Sequence, residues 1–358
     1  MLKVRQCVTR MQPYERQLHN LVPDLRLDMN ENTSGCSPRV LARLHKIRST
    51  TIALYPDRER AENLLAKFLA RSASQLLLTN GADEAIDLLC RAFLEPEDEL
   101  VVVTPTFSMY EIFAGGAGAK VVKIPAGPDF SFPRADVLAA INPRTRIVVI
   151  TNPHNPSGAV VSDDDILAVA RNARDAAVLV DEAYYDFYGQ SMMNAIGSVP
   201  NLFVARTFSK AYGLAGMRLG VLAGPTQHIS MIRRMASPFN INVFAVECME
   251  EALNDQQFVN DYVSQVRATR EWFREQALAM GFQCWPSQAN FVLVNLGDHK
   301  EAILRQMDEW HIALRDRQDC PGCVRISIGK QEEMEVLLMA LRKAQALVAA
   351  VNKEKAAP

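Results

Sequence analysis

The chain has 358 residues, 49% apolar and 22% charged, with a formal net charge of −2 and seven cysteines. That length allows a large domain plus a smaller one, and the small net charge offers no overall field for nucleic acid or an acidic membrane. No apolar stretch is long enough to span a bilayer, the opening "MLKVRQCVTRMQPYERQ" lacks the apolar core of a signal peptide, and scattered cysteines suit reduced thiols in a cytoplasmic protein.

Residues 1–39 are rich in Pro and Asn, lack periodicity, and are expected to wrap over other elements. From about 40 to 235, short β-branched runs recur: "LLLT" (76–79), "LVVVT" (100–104), "KVVKI" (120–124), "IVVIT" (147–151), "AVLVDE" (177–182), "LFVA" (202–205) and "GVLA" (220–223). Continuous rather than alternating apolar runs predict buried strands of a parallel sheet. Helical patterns lie between several of them. In "ADEAIDLLCRAF", Ile86, Leu89, Cys90 and Phe93 share one face, with Asp83 and Glu84 in the first turn, where the helix dipole favours acids. Ser162 and Asp165 form a capping-box-like helix start. The alternation predicts an α/β fold, a mostly parallel seven-stranded sheet flanked by helices. Residues 236–358 read as a smaller α+β domain: helices over 243–280, a strand at "NFVLVN" (290–295), a helix near 299–309, a strand at "VRISIG" (324–329) and a last helix whose end, "NKEKAAP", is expected to fray. "CPGC" at 320–323 has metal or redox spacing. A second ligand pair is missing, so no metal is assigned and a turn at Pro321-Gly322 is the plainer reading.

In an open α/β sheet, ligands bind beyond the carboxyl ends of the strands, so the residues just after each run matter. "NGADE" after the first run is a glycine turn into a helix start, able to hold an anion or simply to cap a helix. "PTFSMY" offers Phe107 and Tyr110 as a flat face for a ring, or as core. "NPHNPSG" fixes Asn152 or Asn155 with two Asn-Pro steps, where cis peptides occur. Asp181 ends a buried strand without the glycine-rich loop of a nucleotide hydrolase, and so needs a cation or donor; Tyr184 lies three residues on. "RTFSKAYGLAGMRLG" places Lys210 after Thr207 and Ser209 and before Arg218. A lysine alone is an ordinary surface cation. On one rim, these groups together match pyridoxal phosphate: an aromatic for its ring, an anion for its nitrogen, donors for its phenolic oxygen, hydroxyls and a guanidinium for its phosphate, and a lysine for its aldehyde.

From "LDMNEN" and "YPD" through these motifs to "ALRDRQDCPGCVRISIG", the chain resembles fold-type I, class I/II pyridoxal phosphate-dependent aminotransferases, and within them the histidinol-phosphate aminotransferase family. The resemblance implies an aspartate aminotransferase-like fold and a homodimer. It implies that Lys210 forms an aldimine with pyridoxal 5'-phosphate and shuttles a proton, in a ping-pong reaction. Asp181 then pairs with the ring nitrogen, Asn155 and Tyr184 contact the phenolic oxygen, and Phe107 stacks on the ring. Backbone at Ala82 and Asp83, with Thr207, Ser209 and Arg218, holds the phosphate, and Tyr55 reaches the neighbouring subunit's cofactor. Tyr14, Asn30, Asn155, Arg315 and Arg325 bind substrate. Burial and Arg218 are both expected to lower the Lys210 pKa. Thr33 and Ser34 in "NENTSG", and Lys330, depart from the family pattern and bear on substrate. The implied reaction is amino transfer from L-histidinol phosphate to 2-oxoglutarate, giving imidazole acetol phosphate and glutamate in histidine biosynthesis. The alternatives are an aromatic or other amino acid aminotransferase, a threonine-phosphate decarboxylase-like enzyme, and a non-enzymatic pyridoxal phosphate-sensing regulator, which would carry a DNA-binding domain.

Overall fold

A computed structural model describes residues 2–14 and 23–356, the side chains of 349 and 351–356 excepted. Part of the N-terminal segment, 15–22, therefore lies outside the described residues, as do 357–358 at the end of "NKEKAAP". The described strands are β1 (Leu25–Leu27), β2 (Leu76–Asn80), β3 (Glu99–Thr104), β4 (Lys120–Pro125), β5 (Thr145–Thr151), β6 (Ala177–Asp181), β7 (Leu202–Thr207), β8 (Leu219–Ala223), β9 (Gln283–Cys284), β10 (Phe291–Asn295), β11 (Ile312–Asp316) and β12 (Cys323–Ser327).

The seven apolar runs form one sheet in the order β2-β8-β7-β6-β5-β3-β4. Strands β2 to β7 run the same way, and β8 runs against both of its neighbours. Alternate residues face opposite cores. Val178 and Val180 of β6 join one apolar cluster, while Ala177 and Leu179 join another. Covered on both faces, the inner strands need apolar residues throughout, which is why their runs do not alternate; edge strand β4 keeps Lys120 and Lys123 exposed. Ile86, Leu89 and Cys90 bury the predicted face of helix Gly81–Phe93, with Phe93 packed against the cluster. The Ser162 hydroxyl accepts from Asp165 N at 3.2 Å and caps helix Asp163–Asn172 as expected.

The second sheet has the order β1-β11-β12-β10-β9. Neither β1 nor β11 was evident in the sequence. Strand β1 pairs parallel to β11, Leu25 opposite Ile312 and Leu27 opposite Leu314, so the N-terminal segment forms an edge of the C-terminal sheet. Helices Pro38–Leu44 and Arg58–Leu69 pack on helix Val243–Asn254. The last helix runs Gln331–Ala356 and takes in most of "NKEKAAP". Among the described residues, no helix is long and apolar enough to cross a membrane.

Candidate active site

Six strands pointing one way bring their carboxyl ends to a single rim. Because β8 is reversed, its beginning reaches the same rim: Leu219 sits opposite Asn80 and Gly220 opposite Thr207. A cavity opens there, between the large sheet and β11–β12, and every predicted site residue except Tyr55 lines it. Tyr55 lies apart on the surface, 76% exposed and stacked on Phe239 with ring centroids 3.9 Å apart.

At the centre of the rim, Asp181 ends β6, buried. Tyr110 donates its phenol to Asp181 Oδ2 at 2.5 Å, and Ala183 N donates to Oδ1 at 3.0 Å. The Tyr110 oxygen also lies 3.0 Å from Thr151 Oγ1. Burial pushes the Asp181 carboxyl up to about 6, against the pull of its donors. Tyr110 is therefore not half of a ring-stacking face, as its sequence context suggested, but a fully buried donor to the central carboxylate. Phe107 lines the cavity too, edge-on to Tyr110 at 5.8 Å.

The two candidate asparagines of "NPHNPSG" divide the work. Asn152 exchanges hydrogen bonds with Val161, donating to its carbonyl and accepting from its amide, both at 3.1 Å, and so pins the loop. Asn155 faces the cavity and accepts from Arg325 Nη1 at 2.8 Å. Both Asn-Pro peptides are cis.

Lys210 Nζ donates to the Met29 carbonyl at 3.1 Å and lies 5.9 Å from the centroid of Tyr184. Its pKa falls to about 8. Burial is the main cause, and Arg325 is the largest charge acting in the same direction. Arg218 lowers it too, as expected, but by less than burial or Arg325.

Around the helix start, Thr207 Oγ1 donates to Ser209 Oγ at 2.8 Å and accepts from Ser209 N at 3.1 Å. The Ser209 proton is thereby left to point at an anion. Arg218 takes a left-handed φ of 54° and turns back over the helix start, where Nη2 donates to Asp83 Oδ2 at 2.9 Å. Gly81 has φ 77°, and a Cβ there would lie 2.4 Å from Arg218 Nη2. The backbone turn and the guanidinium share one small space.

At the other wall, Arg315 and Arg325 are direct partners across the antiparallel β11–β12 pair. Arg325 is buried, donates to the Asp28 carbonyl at 2.7 Å, and carries its guanidinium 5.4 Å from the Phe291 ring centroid. Its Nε is buried with no hydrogen-bond partner among the described residues, and burial lowers its pKa to about 10. Arg315 is half-buried nearer the mouth, 5.7 Å from the Tyr14 ring and donating to its hydroxyl at 3.4 Å. Asn30 touches the cavity but is 1% exposed, and its amide donates to Tyr184 Oη at 2.9 Å.

Sequence reasoning missed Thr151, Ser327 and Arg317. Buried Arg317 bonds Asp319 and donates to the Thr106 carbonyl at 3.1 Å, beside Phe107. "RDRQD" offered no signal that set this arginine apart from its neighbours. Among the described residues no His, Cys, Asp and Glu cluster could hold a metal. Cys320 and Cys323 flank a turn closed by Cys323 N to Cys320 O at 2.9 Å, as the plainer reading held. Both thiols are buried, and burial raises Cys320 to about 12.

The donor set fits pyridoxal phosphate. A buried carboxylate stands where a ring nitrogen needs an anion, a helix start with Ser209 and Arg218 where a phosphate needs donors, and a lysine of lowered pKa between them. Arg315 and Arg325 on the facing wall add guanidiniums for a substrate anion.

The comparisons agree with that chemistry. A family profile, aminotransferase class I and II, matches residues 22–341. A histidinol-phosphate aminotransferase of Cytophaga hutchinsonii is 33% identical over 325 residues, 88% of this chain and 90% of its own. One from Bacillus subtilis is 32% identical over 95% of this chain and 99% of its own. The fold is that of the Sinorhizobium meliloti histidinol-phosphate aminotransferase solved with pyridoxal-5'-phosphate: TM-score 0.89 at 24% identity, covering 97% of this chain and 99% of the other. Thermus thermophilus aspartate aminotransferase aligns at TM-score 0.81 and 21% identity over 96% of this chain and 100% of its own. This chain belongs to the class I and II aminotransferase family.

Proposed function

We propose that this chain is a pyridoxal 5'-phosphate-dependent aminotransferase that moves the amino group of L-histidinol phosphate to 2-oxoglutarate, in histidine biosynthesis. The observation that carries the substrate is Arg315 opposite Arg325, two guanidiniums on one wall of the cavity that also holds Lys210. A guanidinium pair suits a dianionic phosphate, and the relatives' names point the same way.

Bound pyridoxal phosphate supplies an electron sink for charge developing at the substrate Cα. Lys210, poised near neutrality, takes the Cα proton and returns it on the other side of the exchange. Asp181, held by Tyr110 and Ala183, fixes the ring nitrogen. Asn155 and Tyr184 give donors to the phenolic oxygen, and Phe107 covers the ring. Ala82, Asp83, Thr207, Ser209 and Arg218 enclose the phosphate. Arg325, with Asn155, orients the substrate beside the lysine, Arg315 with Tyr14 holds its far end, and Asn30, expected to bind substrate, acts instead through its bond to Tyr184.

We further assign residues 40–235 to a cofactor-binding domain, and 236–358 to a small domain that 1–39 completes. Exposed Tyr55 suits a homodimer in which it reaches the neighbouring cofactor. Seven free cysteines suit the cytoplasm.

Purified protein should show a visible absorption band that Lys210→Ala alters, with loss of turnover. A colourless protein that takes up no pyridoxal phosphate sinks the class. Histidinol phosphate, phenylalanine, tyrosine and threonine phosphate should each be mixed with loaded enzyme. A faster reaction with phenylalanine rejects the donor, and carbon dioxide release indicates decarboxylation.

A further inference from the structure

We propose that Ser327 is a positioning residue for Tyr184, acting through Asn30. The proposal rests on the functional reading above, which gives the Tyr184 hydroxyl its contact with the cofactor's phenolic oxygen.

Asn30 is buried at a left-handed φ of 54°, a conformation that Asn tolerates better than most residues. Its backbone N donates to Ser327 Oγ at 2.8 Å. With that oxygen accepting, the Ser327 proton goes to Asn30 Oδ1, 3.1 Å away. The amide is thereby fixed with its oxygen toward Ser327 and its NH2 toward Tyr184, where Nδ2 donates to Oη at 2.9 Å. Asn290 Nδ2 donates to the Asn30 carbonyl at 3.1 Å and holds the backbone in place. Tyr184, accepting from Asn30, keeps its own proton to donate. A hydroxyl that merely packed against the ring of Phe291, which Tyr184 meets edge-on at 5.0 Å, would have no fixed direction.

Asn30 thus spends both ends of its amide on protein partners, so its effect on the reaction passes through Tyr184 and not through substrate. The source of the relay is also informative. Ser327 and Arg325 are two apart on β12 and so share a face of the sheet. Arg325 bonds Asn155, and Ser327 reaches Tyr184 through Asn30. One strand therefore aims both groups assigned to the phenolic oxygen.

The test uses the full chain with Ser327→Ala, Asn30→Gly, Tyr184→Phe and the Ser327→Ala/Tyr184→Phe pair. Glycine at 30 keeps the left-handed backbone and removes only the amide. The first readout is the pH midpoint of the visible band after loading with pyridoxal phosphate. A donor to the phenolic oxygen favours its ionised form, so its loss raises the midpoint. Each single variant should raise it, Ser327→Ala by roughly half a pH unit, and the pair no further than Tyr184→Phe alone. An unmoved midpoint in Ser327→Ala beside a shifted one in Tyr184→Phe overturns the relay. The second readout needs no cofactor: thermal unfolding of the same four proteins. Ser327→Ala and Tyr184→Phe should be non-additive, since they cut one chain of bonds. Additive shifts overturn the relay, and this readout decides it even if the wild-type protein takes up no pyridoxal phosphate, a result that would reject the functional reading alone.

Discussion

Tyr110 Oη stands 2.5 Å from Asp181 Oδ2, a buried phenol donating to a buried carboxylate across two elements that meet only through the fold. Burial nevertheless wins at Asp181, whose pKa of about 6 lies above its ordinary 3.8. The native chain holds this proton more tightly than the unfolded chain, so the stability linked to it is full below pH 3.8 and is lost as pH rises through about 6. Above that, an ionised carboxylate in the cofactor-free protein costs about 2–3 kcal/mol. Asp181→Asn should therefore stabilise cofactor-free protein at pH 7 by an amount of that order, and by much less at pH 4. It should also abolish turnover, because a neutral amide cannot hold a protonated ring nitrogen. Unfolding of both proteins across pH 4–7, without cofactor, checks the first part. A difference independent of pH rejects it.

Lys210 provides a second titration. Burial and Arg325 hold its pKa near 8, and Arg218 matters less. The reactivity of Lys210 toward an amine-acylating reagent in cofactor-free protein should rise with a midpoint near that value. Arg325→Gln should move the midpoint upward, because removing a neighbouring cation favours the ammonium. Arg218→Gln should move it less. Peptide mapping of acylated Lys210 across pH gives both numbers, and a larger shift in Arg218→Gln would reverse the ranking.

Much of this was legible in the chain itself, for a physical reason. The inner strands of the large sheet are covered on both faces, so each is written as a continuous apolar run, and chemistry concentrates where those runs stop. The 25–27 and 312–316 strands were not legible. Each is short, and their parallel pairing across 287 positions is decided by tertiary contact and not by local pattern. Tyr110 carries the same lesson. Its sequence neighbour Phe107 made it look like part of an aromatic face, whereas its partner lies 71 residues away. Ser327 and Asn30 are 297 apart, and nothing in "RISIG" distinguishes that serine from an ordinary strand residue.

The glycines of the phosphate-side turn separate by what surrounds them. At Gly220 a Cβ would lie 2.5 Å from the Gly81 carbonyl carbon, a backbone atom that cannot step aside. Gly220→Ala should destabilise the fold by about 1–3 kcal/mol, the usual cost of overpacking. Gly81→Ala adds the strain of φ 77° and pushes on the Arg218 guanidinium, so it should weaken pyridoxal phosphate retention as well as stability. Gly216 meets nothing within 4 Å, and Gly216→Ala should change neither. Chemical denaturation and equilibrium dialysis of the cofactor compare the three. Equal retention in Gly81→Ala and Gly216→Ala would remove Arg218 from the phosphate.

The two opposed arginines should not be equivalent. Arg325 lies deep, bonded to Asn155 beside Lys210, where it meets the part of the substrate nearest the amino group. Arg315 lies toward the mouth with Tyr14, where it meets the far end. The donor's only anion is its phosphate, which the two guanidiniums share, whereas the acceptor divides two carboxylates between them, so only the donor offers a dianion to Arg315. Arg315→Gln should raise KM for histidinol phosphate by about 10- to 100-fold, as expected for losing a charge-assisted bond of roughly 1.5–3 kcal/mol. KM for 2-oxoglutarate should rise less. Arg325→Gln should depress kcat/KM for both substrates, since it also leaves Asn155 without its donor. Separate half-reactions, donor with the loaded enzyme and acceptor with the aminated form, resolve the two effects. An equal loss for donor and acceptor in Arg315→Gln would move the phosphate away from the mouth of the cavity.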